Sequence, residues 1–141
     1  MTTPTFWRRP CFGVAETADM IGSTEAALRA WITRCPLDEF AGEKTQGRLW
    51  LTGRDGYFYS LVQVMSHFGV PVRTAMYSAA SIAEYGPPTY DYLTITVAGG
   101  ETTFQSSDSK DVNGAAILLP LRDLYEQHLK ICRERHAQEA A

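Results

Sequence analysis

Gly86-Pro87-Pro88 is the strongest break in this chain, and it separates two kinds of pattern. Proline fixes φ and lacks a backbone donor, so neither a regular helix nor a central strand runs through a Pro-Pro pair. Before the break, apolar residues recur at helical spacing. After it they first alternate, as in a strand with one buried face. The expectation is an α+β chain with a helical unit at 13–85 and a smaller strand-and-helix unit at 90–136.

The helical unit opens with Val14, Ala18 and Ile21 on one helix face. Gly22 stops that helix by taking a backbone conformation other residues resist, and Ser23 or Thr24 caps the next one. Ala27, Leu28, Trp31 and Ile32 form the second apolar face, and Pro36 ends it. Two short helices joined by a Gly-Ser turn read as a helix-turn-helix. Residues 37–47 are polar and read as a loop, followed by a short strand at 48–51. Thr52 and Asp55 have the spacing of a capping box. The third helix then runs to about Phe68, with Phe58, Leu61, Val62, Met65 and Phe68 inward. Gly69-Val70-Pro71 is a stop followed by a start. The fourth helix, 71–84, offers Ala75, Ala79, Ala80 and Ala83 for close approach.

Beyond the break, Leu93, Ile95 and Val97 alternate with threonines, and Gly99-Gly100 is a two-residue hairpin signal. A literal reading pairs Val97 with Thr102, Thr96 with Thr103 and Ile95 with Phe104. Residues 106–114 read as polar loop and 115–119 as a third strand. A final helix runs from Pro120 to about Arg135, with Leu121, Leu124, His128 and Ile131 on its stripe. Two destinations are open for these strands and this stripe: the first unit, or a second copy of the chain.

Charge divides at about the same place. The net charge is −3, from 13 Lys/Arg and 16 Asp/Glu. Residues 1–75 carry eight Lys/Arg and seven Asp/Glu, and the remainder carry five and nine. A +1 half and a −4 half suit two jobs better than one. The length excludes a barrel enzyme or a complete dinucleotide-binding fold with a substrate domain. No GxSxG, P-loop, HExxH or GxGxxG occurs, so neither an enzyme nor a cofactor is expected. Cys11, Cys35 and Cys132 are too few and scattered for a disulfide framework or a CxxC zinc site. His128, Cys132 and His136 lie four apart on the last helix. Two such groups can face one ion, but the stripe assigns His128 and Cys132 to packing, and no metal is expected. The N-terminal residues lack a signal peptide's apolar stretch, and the longest apolar run, 115–121, is far short of a membrane span. A cytoplasmic, nucleoid-associated protein without membrane contact is expected.

The run Val14-Ala15-Glu16-Thr17-Ala18-Asp19-Met20-Ile21-Gly22-Ser23-Thr24-Glu25-Ala26-Ala27-Leu28-Arg29-Ala30-Trp31 resembles the opening of MerR-type winged helix-turn-helix regulators. Gly47-Arg48-Leu49-Trp50, with Asp55 beyond, is similar to that family's wing and the strand leading into its third helix. His67-Phe68-Gly69-Val70-Pro71-Val72 is similar to its junction before helix four. The likeness covers about half the chain. Two features depart from it: Ala30-Trp31-Ile32 replaces the aromatic-Glu pair, and a small α/β element stands where the long dimerising helix would be.

The resemblance implies a bacterial or phage transcriptional regulator that binds double-stranded DNA. A recognition helix needs short polar groups at its N-terminus for base edges and a cation for phosphate. Ser23, Thr24 and Arg29 have those characters. A wing needs cations at a flexible tip, which Lys44, Gln46 and Arg48 resemble. Arg54 begins a helix, where phosphate also binds. Each has a plainer use: Arg29 can pair with Glu25, Lys44 and Arg48 can decorate a loop, and an Arg8-Arg9 pair is more often a solvated terminus than an arm. Trp31 and Trp50 read as core aromatics. The expected function is a sequence-specific regulator binding a pseudo-palindromic site as a homodimer, paired through 90–136. The alternatives are an excisionase-like DNA-architectural factor and a helix-turn-helix module that binds a protein.

Overall fold

A computed structural model describes residues 3–84, 86–112 and 114–140. Tyr85, the end of the expected first unit, and Asn113, in the expected polar loop, lie outside the described residues. Within them the chain is mixed α+β, with six α-helices and two antiparallel three-stranded sheets.

Helix α2, Val14–Met20, and helix α3, Glu25–Arg34, are joined by a turn whose bonds explain its sequence. The Ser23 amide donates to the Ala18 carbonyl at 2.8 Å and the Gly22 amide to Asp19 at 3.2 Å. This paired closure requires a left-handed residue, and Gly22 supplies it at φ +72°. Thr24 then caps α3, its Oγ1 accepting from the Ala27 amide at 3.1 Å.

The span 37–47 is more than the expected loop. Asp38–Phe40 forms a 3-10 turn that buries Phe40, and Glu43–Thr45 is a strand, β2. Phe40 stacks on Phe58 with centroids 4.2 Å apart. β2 pairs with β3, Arg48–Leu51, which also pairs with the two-residue β1, Phe12–Gly13. All of β2 is exposed, so no alternation marks it; backbone pairing alone makes it a strand.

Helix α4, Gly53–His67, begins with the expected capping box. The Asp55 amide donates to Thr52 Oγ1, and the Thr52 amide donates back to Asp55 Oδ2, both at 2.9 Å. Tyr57, Phe58, Leu61, Val62 and Met65 are fully buried. Phe68 is not: it follows the helix and is 56% exposed. The Gly69 turn folds Val70 back, with its amide on the Met65 carbonyl at 3.0 Å, and Val70 takes the core position instead. Helix α5, Val72–Ala83, lays Ala75, Ala79 and Ala83 against α4, while Ala80 is half-buried.

β4, Tyr92–Ala98, and β5, Glu101–Ser107, form the hairpin in the expected register, Ile95 opposite Phe104. β6, Ile117–Pro120, pairs with the other side of β4. Leu93 and Ile95 are buried, but Val97 is 67% exposed because it lies at the hairpin tip, beyond the packed end of the sheet. Pro120 closes β6, and helix α6 runs Leu121–Ala140, a turn longer than the pattern suggested.

Of the two destinations open to the stripe, α6 takes the first. Tyr125 packs edge-on to Trp7 at 5.2 Å and to Tyr57 at 5.5 Å. Such aromatic pairs add about 0.5–1.5 kcal/mol each beyond the area they bury. Trp7 belongs to α1, Thr5–Arg8, a helix the sequence did not announce. Phe6 and Trp7 are buried, and the Arg8 guanidinium donates to the Glu84 carbonyl at 3.4 Å. Residues 5–8 are therefore docked on the core, with Arg8 tied to Glu84. Arg135 pairs with Asp19, and Arg122 with Asp91 at 2.6 Å. No helix among the described residues is long and apolar enough to cross a membrane.

Candidate nucleic-acid interface

A groove of about 980 Å³ lies between α3 and the β2–β3 hairpin, floored by the start of α2. Arg29 and Thr33 line its helical wall, and Lys44, Arg48 and Trp50 its hairpin wall. Helix α3 fits this role because Leu28 and Ile32 anchor its inner face, leaving the residues one position on pointing outward. Lys44 pairs across from Leu49, and Arg48 from Thr45, so the two cations leave opposite faces of the ribbon. The groove takes one from each face.

The hairpin tip is Gln46-Gly47, with both residues at positive φ, 53° and 77°. Two successive left-handed residues match the type I′ turn, whose twist suits the strands it joins. Gln46 is therefore exposed at the tip and bears backbone strain that glycine would not. The Arg48 guanidinium stacks 4.8 Å above the Trp50 ring, which aims the cation along the hairpin.

Arg29 is not unpaired. Its Nε and Nη2 both donate to Glu25 Oε1, at 3.1 and 2.9 Å. Both side chains are about half exposed, and an exposed i,i+4 pair is worth only about 0.3–0.5 kcal/mol. A phosphate can displace Glu25 at little cost. Glu25 and Glu16 also line the groove, so its five charged side chains give a local net of +1.

The seven residues expected to touch DNA divide into three sets. Arg29, Lys44 and Arg48 all line the groove, and Gln46 sits at the adjoining tip. Ser23 and Thr24 lie at the start of α3. The Thr24 oxygen is committed to the Ala27 amide, although its hydroxyl proton remains available as a donor. Arg54 stands apart: its Nη2 donates to the Glu39 carbonyl at 3.2 Å and its guanidinium covers Phe40 at 4.6 Å. It ties α4 to the 3-10 turn. Trp50, read as a core aromatic, is half-buried on the groove wall. Its i,i+2 spacing from Arg48 on a strand was the signal for this shared face. Trp31 is half-buried against the core.

His128 and Cys132 are buried between α6 and α4, with His128 Nε2 at 3.0 Å from the Gly53 carbonyl and 3.3 Å from Cys132 Sγ. Burial pushes the imidazole down to about 4 and the thiol up to about 12. His136 sits apart from them, its ring 5.4 Å from that of Phe6. Among the described residues no three His, Cys, Asp or Glu side chains are placed to hold a metal ion. No family model, curated protein or solved structure matches this chain, so its function rests on the geometry just described.

Proposed function

We propose that this protein is a sequence-specific regulator that binds double-stranded DNA. In this reading α2, α3 and the β2–β3 hairpin act as a winged helix-turn-helix, as the resemblance to MerR-type regulators implies. The observation that carries it is that Arg29, Lys44 and Arg48, from two separate elements, all line one open groove. A sugar-phosphate strand needs cations on both sides, and a helix beside it can enter the major groove. With a strand seated there, Ser23 and Thr24 at the start of α3 approach base edges and Gln46 approaches the adjacent groove. Arg54 acts through the fold.

Three cations per head give modest affinity. A homodimer offsets this by presenting two heads to a pseudo-palindromic site, about 34 Å apart for one helical turn. The test is selection of genomic fragments on the purified full chain, followed by sequencing. Enrichment of one short motif, repeated with inverted symmetry, supports the reading. Fragments enriched without a shared motif favour an architectural factor. No retained DNA at low salt contradicts the reading and favours a protein partner.

A further inference from the structure

Four strands border the two sheets, and three of them are blunted. β1 has two residues; β2 has three, including Glu43 and Lys44; β6 has four and ends in Pro120. Short length, charge and proline all keep a sheet edge from pairing with another chain. β5 is the exception. It runs seven residues, pairs with β4 at every position without a bulge, and carries one charge, Glu101 at its first position, with no Pro. Among the described residues it pairs with β4 alone, so its other edge is open.

The hairpin fixes which groups face that edge. A two-residue turn at Gly99-Gly100 makes Ala98 and Glu101 a hydrogen-bonded pair. Alternation then sends the amides and carbonyls of Thr103, Gln105 and Ser107 toward β4. Those of Thr102, Phe104 and Ser106 point outward. We propose that this edge pairs antiparallel with the same edge of a second copy, about a two-fold axis at Phe104.

That register is self-complementary. Phe104 faces its counterpart, Thr102 faces Ser106, Thr103 faces Gln105 and Glu101 faces Ser107. No like charges oppose each other, and every outward donor meets an outward acceptor. Shifting the axis to Thr103 or Gln105 leaves one outward residue without a partner. The half-buried Phe104 ring, on the face it shares with Ile95, gains an aromatic neighbour across the axis. The result is one six-stranded sheet carrying two α3–hairpin heads. This deepens the homodimer of the proposed function and rests on that reading for its purpose, but the pairing itself needs no DNA.

Light scattering on the full chain, without DNA, reads the pairing directly. At about 100 µM the mass is expected to be twice the chain's 15.7 kDa. Ser106→Pro removes one outward donor and leaves the bonds to β4 intact, so the mass falls to that of one chain with the circular dichroism unchanged. Should that variant unfold, amide exchange in the unmodified protein decides. Exchange at Thr102, Phe104 and Ser106 slows severalfold, up to about tenfold, between about 1 and about 100 µM, while Thr103 and Gln105 do not change. A single-chain mass at the higher concentration overturns the proposal. So does a folded Ser106→Pro variant that remains a dimer, or exchange at those three amides that ignores concentration. A monomer that binds DNA contradicts this pairing and the homodimer but not the DNA binding, and a dimer that does not bind DNA contradicts the DNA binding alone.

Discussion

His128, on the last helix, faces the carbonyl oxygen of Gly53, the first residue of α4, with its Nε2 3.0 Å away. Only a protonated nitrogen can satisfy a carbonyl, so Nε2 carries the hydrogen, and burial keeps the ring neutral. Cys132 Sγ, 3.3 Å from the same nitrogen, shares that proton. The contact ties the end of the chain to the helix that organises its first half, and two predictions depend on it.

The first concerns pH. Burial holds His128 down to about 4, against its ordinary 6.5. Above 6.5 the ring is neutral whether folded or unfolded. Below 6.5 the unfolded chain binds a proton that the folded one refuses until about 4, so stability falls as pH falls through that window. The loss approaches roughly 3 kcal/mol. Asp55 acts oppositely: burial raises its carboxyl, so folding favours its protonated form and acidification adds stability. Urea unfolding of the protein and of His128→Gln separates the two. The variant keeps a donor near Gly53 but does not titrate. Its disadvantage at about pH 7 should shrink by roughly 2–3 kcal/mol at about pH 4.5. Parallel pH profiles would contradict a neutral buried His128.

The second concerns Gly56, one turn into α4. A Cβ added there would lie 2.8 Å from His128 Nε2 and 2.9 Å from its Cε1. The ring cannot retreat, being held by Gly53 and flanked by Trp7 and Tyr57. Helix propensity favours alanine by about 1 kcal/mol, but overpacking costs about 1–3 kcal/mol. Gly56→Ala should lower the denaturation midpoint, and the loss should be smaller in a His128→Ala background. A gain in stability would show that the α4–α6 contact is looser than described.

The sequence disclosed whatever had a local cause. The Gly22 and Gly69 turns, the Thr52/Asp55 box and the Ile95–Phe104 register are set within a few residues, and each stands where its pattern put it. What it hid depends on distant partners. Phe6 and Trp7 gave no period because α1 is one turn long, and it is held by packing on α4 and by the contact of Trp7 with Tyr125 of α6. Phe40 is a lone aromatic in a polar span, buried only because Phe58 and Arg54 close over it. That Arg29 lines one groove with Lys44 and Arg48 could not be read from spacing, since the α3 wall and the hairpin wall belong to separate elements. The i,i+2 spacing puts Trp50 on the Arg48 face, but whether that face meets the core or a groove is settled by its neighbours.

Glu25 limits the cation available at α3. Glu25→Gln removes the partner of Arg29 and one negative charge from the groove. Loss of an exposed pair should change stability by less than about 0.5 kcal/mol. DNA affinity at low salt should rise, with the gain largest on unrelated sequences because phosphate contact carries no sequence information. Titration of a labelled duplex checks this, and weaker binding by the variant would mean that Glu25 itself contacts DNA.

In the proposed function the groove between α3 and the β2–β3 hairpin holds a phosphate strand. Its most direct measurement is fluorescence anisotropy of a duplex titrated with protein across a salt series. Log K should fall linearly with log salt, and Arg48→Ala should lower the magnitude of that slope by about one for each head bound. Binding that ignores salt, or a slope that Arg48→Ala leaves unchanged, would contradict it.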